Sequence, residues 1–254
     1  MTDQQNRFAT FAALHRPGAP LILFNAWDSG SARAVADAGA PAIATGSWSV
    51  AAANGFADAE SLPIELALAN AARIVASVDL PVTIDFEGAY SVDPDGVARN
   101  VGLLAATGAV GCNFEDQVIG GMGLHPIGLQ ADRIGAAREA VGLGFFINAR
   151  VDTFLKLKRD RHAEGLNEAF ERAHAYWEAG ASGLFFPGLA DADLIGRICE
   201  RSQLPVNIIF MPGAPPADEL ATLGVARISH GPMPYRRMVE WLTAAATEHY
   251  RRRS

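Results

Sequence analysis

The sequence predicts one (β/α)8 TIM barrel, an α/β fold, occupying residues 1–254 as a single domain. Three observations carry that expectation. Short β-rich runs alternate with longer alanine-rich helical stretches eight times over, and 254 residues is close to the usual length of such a barrel. The runs are continuously apolar, which suits parallel strands covered on both faces. Glycine and proline fall where helices should end and strands begin.

The first predicted strand, 21–25, precedes a helix over about 29–38. The second, 42–45, is followed by a loop and a helix over about 63–77. The third, 82–85, pairs with a helix over about 94–107, and the fourth, 111–115, with a glycine-rich loop and a helix over about 130–141. The fifth, 145–150, precedes a helix over about 163–179; the sixth, 183–186, one over about 191–201. The seventh, 206–209, precedes a helix over about 216–223, and the eighth, 226–229, one over about 234–248. Gly39, Gly108, Gly180 and Gly224 each follow a predicted helix, and Pro41, Pro81 and Pro205 each precede a strand. An open doubly wound sheet is the rival, but its glycine-rich phosphate turn is missing from Ala26-Trp27-Asp28-Ser29-Gly30.

Composition narrows the function classes. Apolar residues make up 50% and charged residues 19%, enough for one sizeable core. A net charge of −7 argues against nucleic acid, whose phosphates need clustered cations. Arg251, Arg252 and Arg253 read as a solvated tail. Cys112 and Cys199 sit in apolar patterns and read as buried thiols. The opening residues lack the apolar stretch of a secretory leader, and no run is long enough to span a membrane. A cytoplasmic protein with no membrane partner is expected. Trp241 and Leu242, on the last helix, read as packed on the core, or else as an interface.

Barrel chemistry sits at the carboxyl ends of strands. Asp85 and Glu87 end the third strand, two residues apart, and Glu115 ends the neighbouring fourth. Three such carboxylates repel unless a cation lies between them, and oxygen ligands favour Mg2+ or Mn2+. Mg2+ usually keeps waters, so one or two direct carboxylates suffice. Arg150, ending the fifth strand, suits a carboxylate or phosphonate, or a salt bridge to Asp152 or Asp116. The Gly46-Ser47-Trp48 turn offers backbone N–H groups to the same anion. His125, in the glycine-rich fourth loop, is a candidate acid or base, with His230 a second; Asn207 is a candidate to orient substrate.

In order, the chain carries Asn25-Ala26-Trp27-Asp28, Thr45-Gly46-Ser47, Asn54-Gly55-Phe56-Ala57-Asp58, Asp85-Phe86-Glu87-Gly88-Ala89-Tyr90, Glu115-Asp116-Gln117 and Ala149-Arg150-Val151-Asp152. This ordered set resembles the isocitrate lyase / phosphoenolpyruvate mutase superfamily. The resemblance spans roughly residues 21–152 and continues more loosely through the last three strands. It implies a Mg2+-dependent barrel that makes or breaks a C–C or P–C bond in a small 2-oxo acid. It implies a metal shell of Asp85, Glu87 and Glu115, partly through water, with Asp58 closing over it. It implies a substrate carboxylate held by Arg150 and the Ser47 and Trp48 amides, and a homodimer or homotetramer, often with a C-terminal helix exchanged between partners.

Two departures from the pattern matter. Glu87 stands where the superfamily usually has Asp. Its lyases carry Lys-Arg-Cys-Gly-His in the fourth loop, with the Cys as catalytic acid/base; here the stretch is Gly121-Met122-Gly123-Leu124-His125, and His125 alone matches. The expected function is a Mg2+-dependent lyase or decarboxylase of a small 2-oxo acid or dicarboxylate, acting through an enolate. Phosphonopyruvate-type mutase or hydrolase chemistry and non-catalytic 2-oxo-acid binding are the alternatives.

Overall fold

The computed structural model of the chain describes residues 3–251. An opening helix, α1 (Asp3–Ala13), is followed by β1 (Leu21–Leu23), α2 (Ser29–Asp37), β2 (Ile43–Ala44), α3 (Ser47–Ala53) and α4 (Ile64–Ser77). Then come β3 (Val82–Asp85), α5 (Pro94–Ala106), β4 (Gly111–Glu115), α6 (Ile127–Val141), β5 (Phe146–Arg150), α7 (Thr153–Lys156) and α8 (Leu166–Glu178). The chain continues through β6 (Gly183–Phe185), α9 (Ala192–Arg201), β7 (Val206–Ile209), α10 (Ala217–Thr222), β8 (Arg227–Ser229) and α11 (Met233–Arg251).

All eight strands run parallel in one sheet, in the order β1-β8-β7-β6-β5-β4-β3-β2. A parallel bridge between Ala26 and Thr45 spans the seam between β1 and β2, where the Ala26 N–H donates to Ala44 O at 2.8 Å. This is the nearly closed (β/α)8 barrel that the alternation predicts. The four predicted stop glycines do stop helices: Gly39, Gly108, Gly180 and Gly224 have φ of 91°, 91°, 95° and 90°, a left-handed conformation that costs a Cβ-bearing residue more. Among the described residues no helix is long and apolar enough to cross a membrane. Cys112 and Cys199 are free, and burial pushes both thiols up to about 12.

Register sets the site. Asp85, Asn113, Asn148 and Gly183 are successive partners across β3 to β6. One step toward the mouth, Glu115, Arg150, Phe185, Asn207 and Arg227 form the next series across β4 to β8. Charged and amide side chains from five strands are thereby brought into one barrel interior.

The opposite end is sealed by α1, which the sequence patterns did not announce. Phe11 is fully buried against Leu21, Leu23, Ala42, Ala44 and Phe146. His15, just beyond α1, stacks on Phe146 at 4.2 Å, and its Nδ1 lies 2.9 Å from Phe11 O. Burial, and then the Arg227 charge, depress His15 to about 3. The unfolded chain therefore binds a proton that the folded chain refuses between the ordinary histidine value near 6.5 and about 3. The His15 contribution is intact above pH 6.5 and is lost as pH falls, by at most about 1.4 kcal/mol per unit. Urea unfolding at pH 7 and pH 5 should show a smaller acid loss in His15→Leu than in the wild type. Equal losses would acquit His15.

The last helix departs from expectation. Along α11 only Pro234 is buried, while Trp241 is 68% and Leu242 54% exposed. It does not pack on the core as an eighth barrel helix. Ile22 and Phe24, which point outward from β1 and just beyond it, are left 49% and 44% exposed. Its first turn engages the barrel: Tyr235 meets Trp27 and Trp48 edge-on, and Arg236 lies over the Trp48 ring at 4.5 Å. A sequence pattern marks an apolar helix face but not which molecule covers it. Of the basic tail, Arg252 and Arg253 lie outside the described residues.

Candidate active site

At the carboxyl ends of the strands lies a cavity of about 430 Å³, a volume suited to a small ligand. Asn25, Ser47, Asp58, Asp85, Arg150 and His230 line it, with Gly46 and Trp48 beside them. Arg236 also lines it, adding a second guanidinium that the sequence patterns did not single out. Of the residues expected at the mouth, Glu87, Glu115, His125 and Asn207 do not line this cavity. They are 7%, 4%, 5% and 1% exposed and sit beneath or beside it.

Asp85 is held from two sides. Its Oδ2 accepts from the Ser47 N–H at 2.9 Å and the Ser47 hydroxyl at 2.8 Å. Its Oδ1 accepts from Asn113 Nδ2 at 3.2 Å. The first residue of α3 thus spends its free N–H on Asp85, where the turn alone suggested a substrate anion. The loop read from sequence after β2 is a short helix, and it positions the carboxylate.

Glu115 and Arg150 pair in register, with Arg150 Nη1 2.5 Å from Glu115 Oε2. The other edge of the guanidinium grips Asp152 through Nε at 2.6 Å and Nη2 at 3.0 Å. Burial opposes the Arg150 charge, but Glu115 and Asp152 together hold it protonated. Burial also raises Glu115 well above the usual carboxylate range, with Arg150 pulling the other way. The bond to Asp152 is the salt bridge weighed from sequence. It leaves hydrogens on Nη1 and Nη2 for a ligand, because guanidinium carries five donors. Asp116 instead supports the wall: it accepts from the Asp152 N–H, the Tyr176 hydroxyl and Arg172.

Glu87 lies just past β3, in a left-handed turn. Both its oxygens accept from the Glu60 N–H, at 3.1 and 3.2 Å. Burial pushes it up to about 8, with the charges of Asp85, Asp58 and Glu60 adding to the effect. The five non-glycine residues with positive φ among those described are Ala59, Glu60, Glu87, Ala89 and Tyr90. They fall in two facing loops, and such backbone costs about 1–3 kcal/mol per residue unless its surroundings impose it. The Glu60 side chain imposes it by accepting from the Tyr90 N–H at 2.7 Å. Arg133 braces the same turn, donating to Gly88 O at 2.7 Å and Ser91 O at 2.9 Å. Glu60 was not apparent from sequence, where it is one loop acid among many.

Among the described residues, no group of three or more His, Cys, Asp or Glu side chains converges tightly enough to cage a metal unaided. Mg2+ seldom needs such a cage; it keeps several waters and takes one or two carboxylates plus ligand oxygens. Asp85 faces the cavity, and a pocket of about 20 Å³ borders Asp85, Glu87, Ser47 and Tyr90. Val50, Ala51, Leu62, Ala71 and Ile84 form most of its remaining wall. Asp85, facing the cavity, with Glu87 close by, offers the oxygen donors that a hydrated Mg2+ or Mn2+ takes, whereas Glu115 spends its carboxylate on Arg150.

The two histidines differ. The His125 N–H donates to Asp116 O at 2.8 Å, and its carbonyl accepts from Arg172 at 3.0 Å, so its backbone is fixed into the wall. Its ring is buried away from the cavity. His230 is at the rim of the cavity, its ring against Phe210 and the outward-pointing Phe24, with Nδ1 3.2 Å from Leu23 O. A carbonyl only accepts, so Nδ1 carries the hydrogen and neutral His230 leaves Nε2 as a base. Burial lowers its pKa, favouring that neutral form.

Fold and mouth together define a parallel α/β barrel that gathers carboxylates and guanidinium groups around one small cavity at the carboxyl ends of its strands. A family model described as Phosphoenolpyruvate phosphomutase matches residues 11–250, and the chain belongs to that family, within the isocitrate lyase / phosphoenolpyruvate mutase superfamily. An uncharacterised protein of Mycobacterium tuberculosis is 36% identical over 226 residues, covering 89% of this chain and 83% of its own. The 2-methylisocitrate lyase of Escherichia coli K12 is 31% identical over 188 residues, covering 67% of this chain and 60% of the lyase. A crystal structure from Burkholderia cenocepacia J2315, of a protein provisionally named a phosphonomutase, has a TM-score of 0.94 and 47% identity. That match covers 97% of this chain and 99% of the other.

Proposed function

We propose that this protein is a cytoplasmic, Mg2+-dependent lyase that cleaves or decarboxylates a small 2-oxo acid or dicarboxylate. The observation that carries the reading is the pairing of Asp85 with Arg150 and Arg236 around one small cavity. When bound at Asp85, a divalent cation would offset the negative charge that develops on the 2-oxo oxygen. Arg150, steadied by Glu115 and Asp152, anchors a substrate carboxylate; Arg236, steadied on Trp48, offers a second anchor. With a hydroxy acid, His230 would take the hydroxyl proton at Nε2 as the C–C bond breaks and return it to the carbanionic carbon; with an oxo acid that loses CO2, the enolate carbon would take its proton from water. His125 stays neutral in the wall, where burial and then the Arg133 and Arg172 charges disfavour its protonation.

The test is a panel of 2-oxo acids and hydroxy-dicarboxylates assayed with Mg2+ for release of CO2, of a carbonyl fragment and of phosphate. Release of CO2 or a carbonyl fragment is expected, with a loss of about 100-fold or more of carbonyl-fragment release in His230→Ala, the low end for a general acid/base, and little loss in His125→Ala. Phosphate release from phosphonopyruvate would replace this reading with the mutase or hydrolase one, to which the provisional name of the 47% identical protein lends weight. Binding of oxalate with no turnover would make the protein a 2-oxo-acid binder.

The same reading takes the chain as a homodimer or homotetramer. Exposed apolar side chains on α11, such as Trp241 and Leu242, and an uncovered stripe at Ile22 and Phe24 are complementary needs. Packing α11 of one copy on the stripe of another meets both. Light scattering after size exclusion should give a multiple of the 26.9 kDa chain, and Trp241→Glu with Leu242→Glu should shift it to one chain. A wild type that elutes as a single chain at micromolar concentration ends this proposal.

A further inference from the structure

The barrel interior beneath the mouth is polar, against the norm of branched apolar layers. Thr83, Asn113, Asn148, Asn207 and Arg227 are all 5% exposed or less. The layer is built to fit: a Cβ on Gly183 would come 2.9 Å from Asn148 Oδ1. Arg227 is its one charged member. At 1% exposure it touches no carboxylate, and its Nε and Nη1 have no hydrogen-bond partner. Burying a guanidinium this way is costly, and an apolar residue of similar volume usually serves stability as well or better. Packing therefore does not account for it.

Its one hydrogen bond does. Arg227 Nη2 donates to Asn113 Oδ1 at 3.1 Å, and Asn148 Nδ2 donates to the same oxygen at 2.9 Å. Guanidinium donates and never accepts. Arg227 consequently forces Asn113 to turn its oxygen inward and its Nδ2 outward, toward Asp85 Oδ1. A flipped amide would set an oxygen against the Asp85 carboxylate. We infer that Arg227 is a positioning residue: acting through Asn113, it fixes the orientation in which Asp85 faces the divalent ion and the ligand.

This inference rests on the reading of Asp85 as the residue that holds the ion. The experiment measures Mg2+-dependent oxalate binding by calorimetry, and thermal unfolding without ligand, for wild type, Arg227→Met, Arg227→Lys and Asn113→Asp. Arg227→Met should unfold at the same temperature or higher and bind oxalate at least tenfold more weakly. Arg227→Lys, which keeps a donor toward Asn113, should recover most of the affinity. Asn113→Asp is nearly isosteric and gains a charge partner in Arg227, yet it loses the donor to Asp85. It should stay folded and bind weakly, which keeps the test informative if Arg227→Met does not fold. Wild-type affinity in Arg227→Met or Asn113→Asp, with the wild type binding, overturns the positioning role alone. A wild type that gives no Mg2+-dependent heat with oxalate overturns the underlying reading of Asp85, and the inference with it.

Discussion

Asp85→Ala should abolish Mg2+-dependent oxalate binding, weakening it by at least about 100-fold, or roughly 2.7 kcal/mol. Asp85 is the one carboxylate of the proposed shell that lines the main cavity; Glu87 and Glu115 are buried behind it and engaged by Glu60 and Arg150. Removing it leaves Asp58 as the one carboxylate that lines the cavity, and that single acid with water-mediated contacts from the others is too weak to hold a hydrated cation in place. The fold should survive with a modest fall in Tm. The Ser47 N–H, the Ser47 hydroxyl and Asn113 Nδ2 lose their acceptor, but the site opens to the cavity, where water replaces it. Calorimetry at fixed Mg2+ reads the first effect and thermal unfolding the second. Unchanged affinity in a folded variant would take Asp85 out of the site.

Most of the barrel was legible because its signals are local and repeated. Each strand is an apolar run, each helix an alanine-rich stretch, and four of the stops are glycines whose φ the structure bears out, at Gly39, Gly108, Gly180 and Gly224. What escaped lies outside the repeat. α1 precedes the first strand, and its Phe11 and His15 seal a barrel end that no strand pattern describes. α3 starts on the polar residues of a strand end, so it reads as a loop.

The site divides the same way. A strand end can be read off the sequence, and that brought Asp85, Ser47 and Arg150 to the mouth. Hydrogen-bond partners cannot be read so, which is why the Ser47 N–H serves Asp85 and why Glu60 went unnoticed. Arg227 did leave a signal. It is a charged residue inside a strand, at the level of Asn207 in the neighbouring strand. A barrel interior that places amides and a guanidinium where Val or Ile is usual is organised for something other than packing.

Arg150→Met should be the most destabilising single change near the mouth, by about 3–5 kcal/mol at pH 8, the scale of removing one partner of a buried ion pair. Glu115 and Asp152 are 4% and 0% exposed, and Arg150 neutralises both. Without it, two buried carboxylates face each other across the vacated side chain. Glu115 can escape only by taking up a proton, so its folded pKa, already raised by burial, rises further once the opposing Arg150 charge is gone. For a carboxylate shifted upward, the native state binds more protons than the unfolded chain, and stability falls as pH rises. The deficit of Arg150→Met against wild type should therefore be larger at pH 8 than at pH 5 in urea unfolding. Adding Glu115→Gln should return part of the loss, because one of the stranded charges is gone while its shape remains. A deficit of the same size at both pH values, or no recovery in the double variant, would mean that Arg150 stabilises by packing its stem rather than by holding those charges. The ligand effect separates further: Arg150→Met with Glu115→Gln should regain stability without regaining oxalate affinity, since the anion has lost its anchor in both variants.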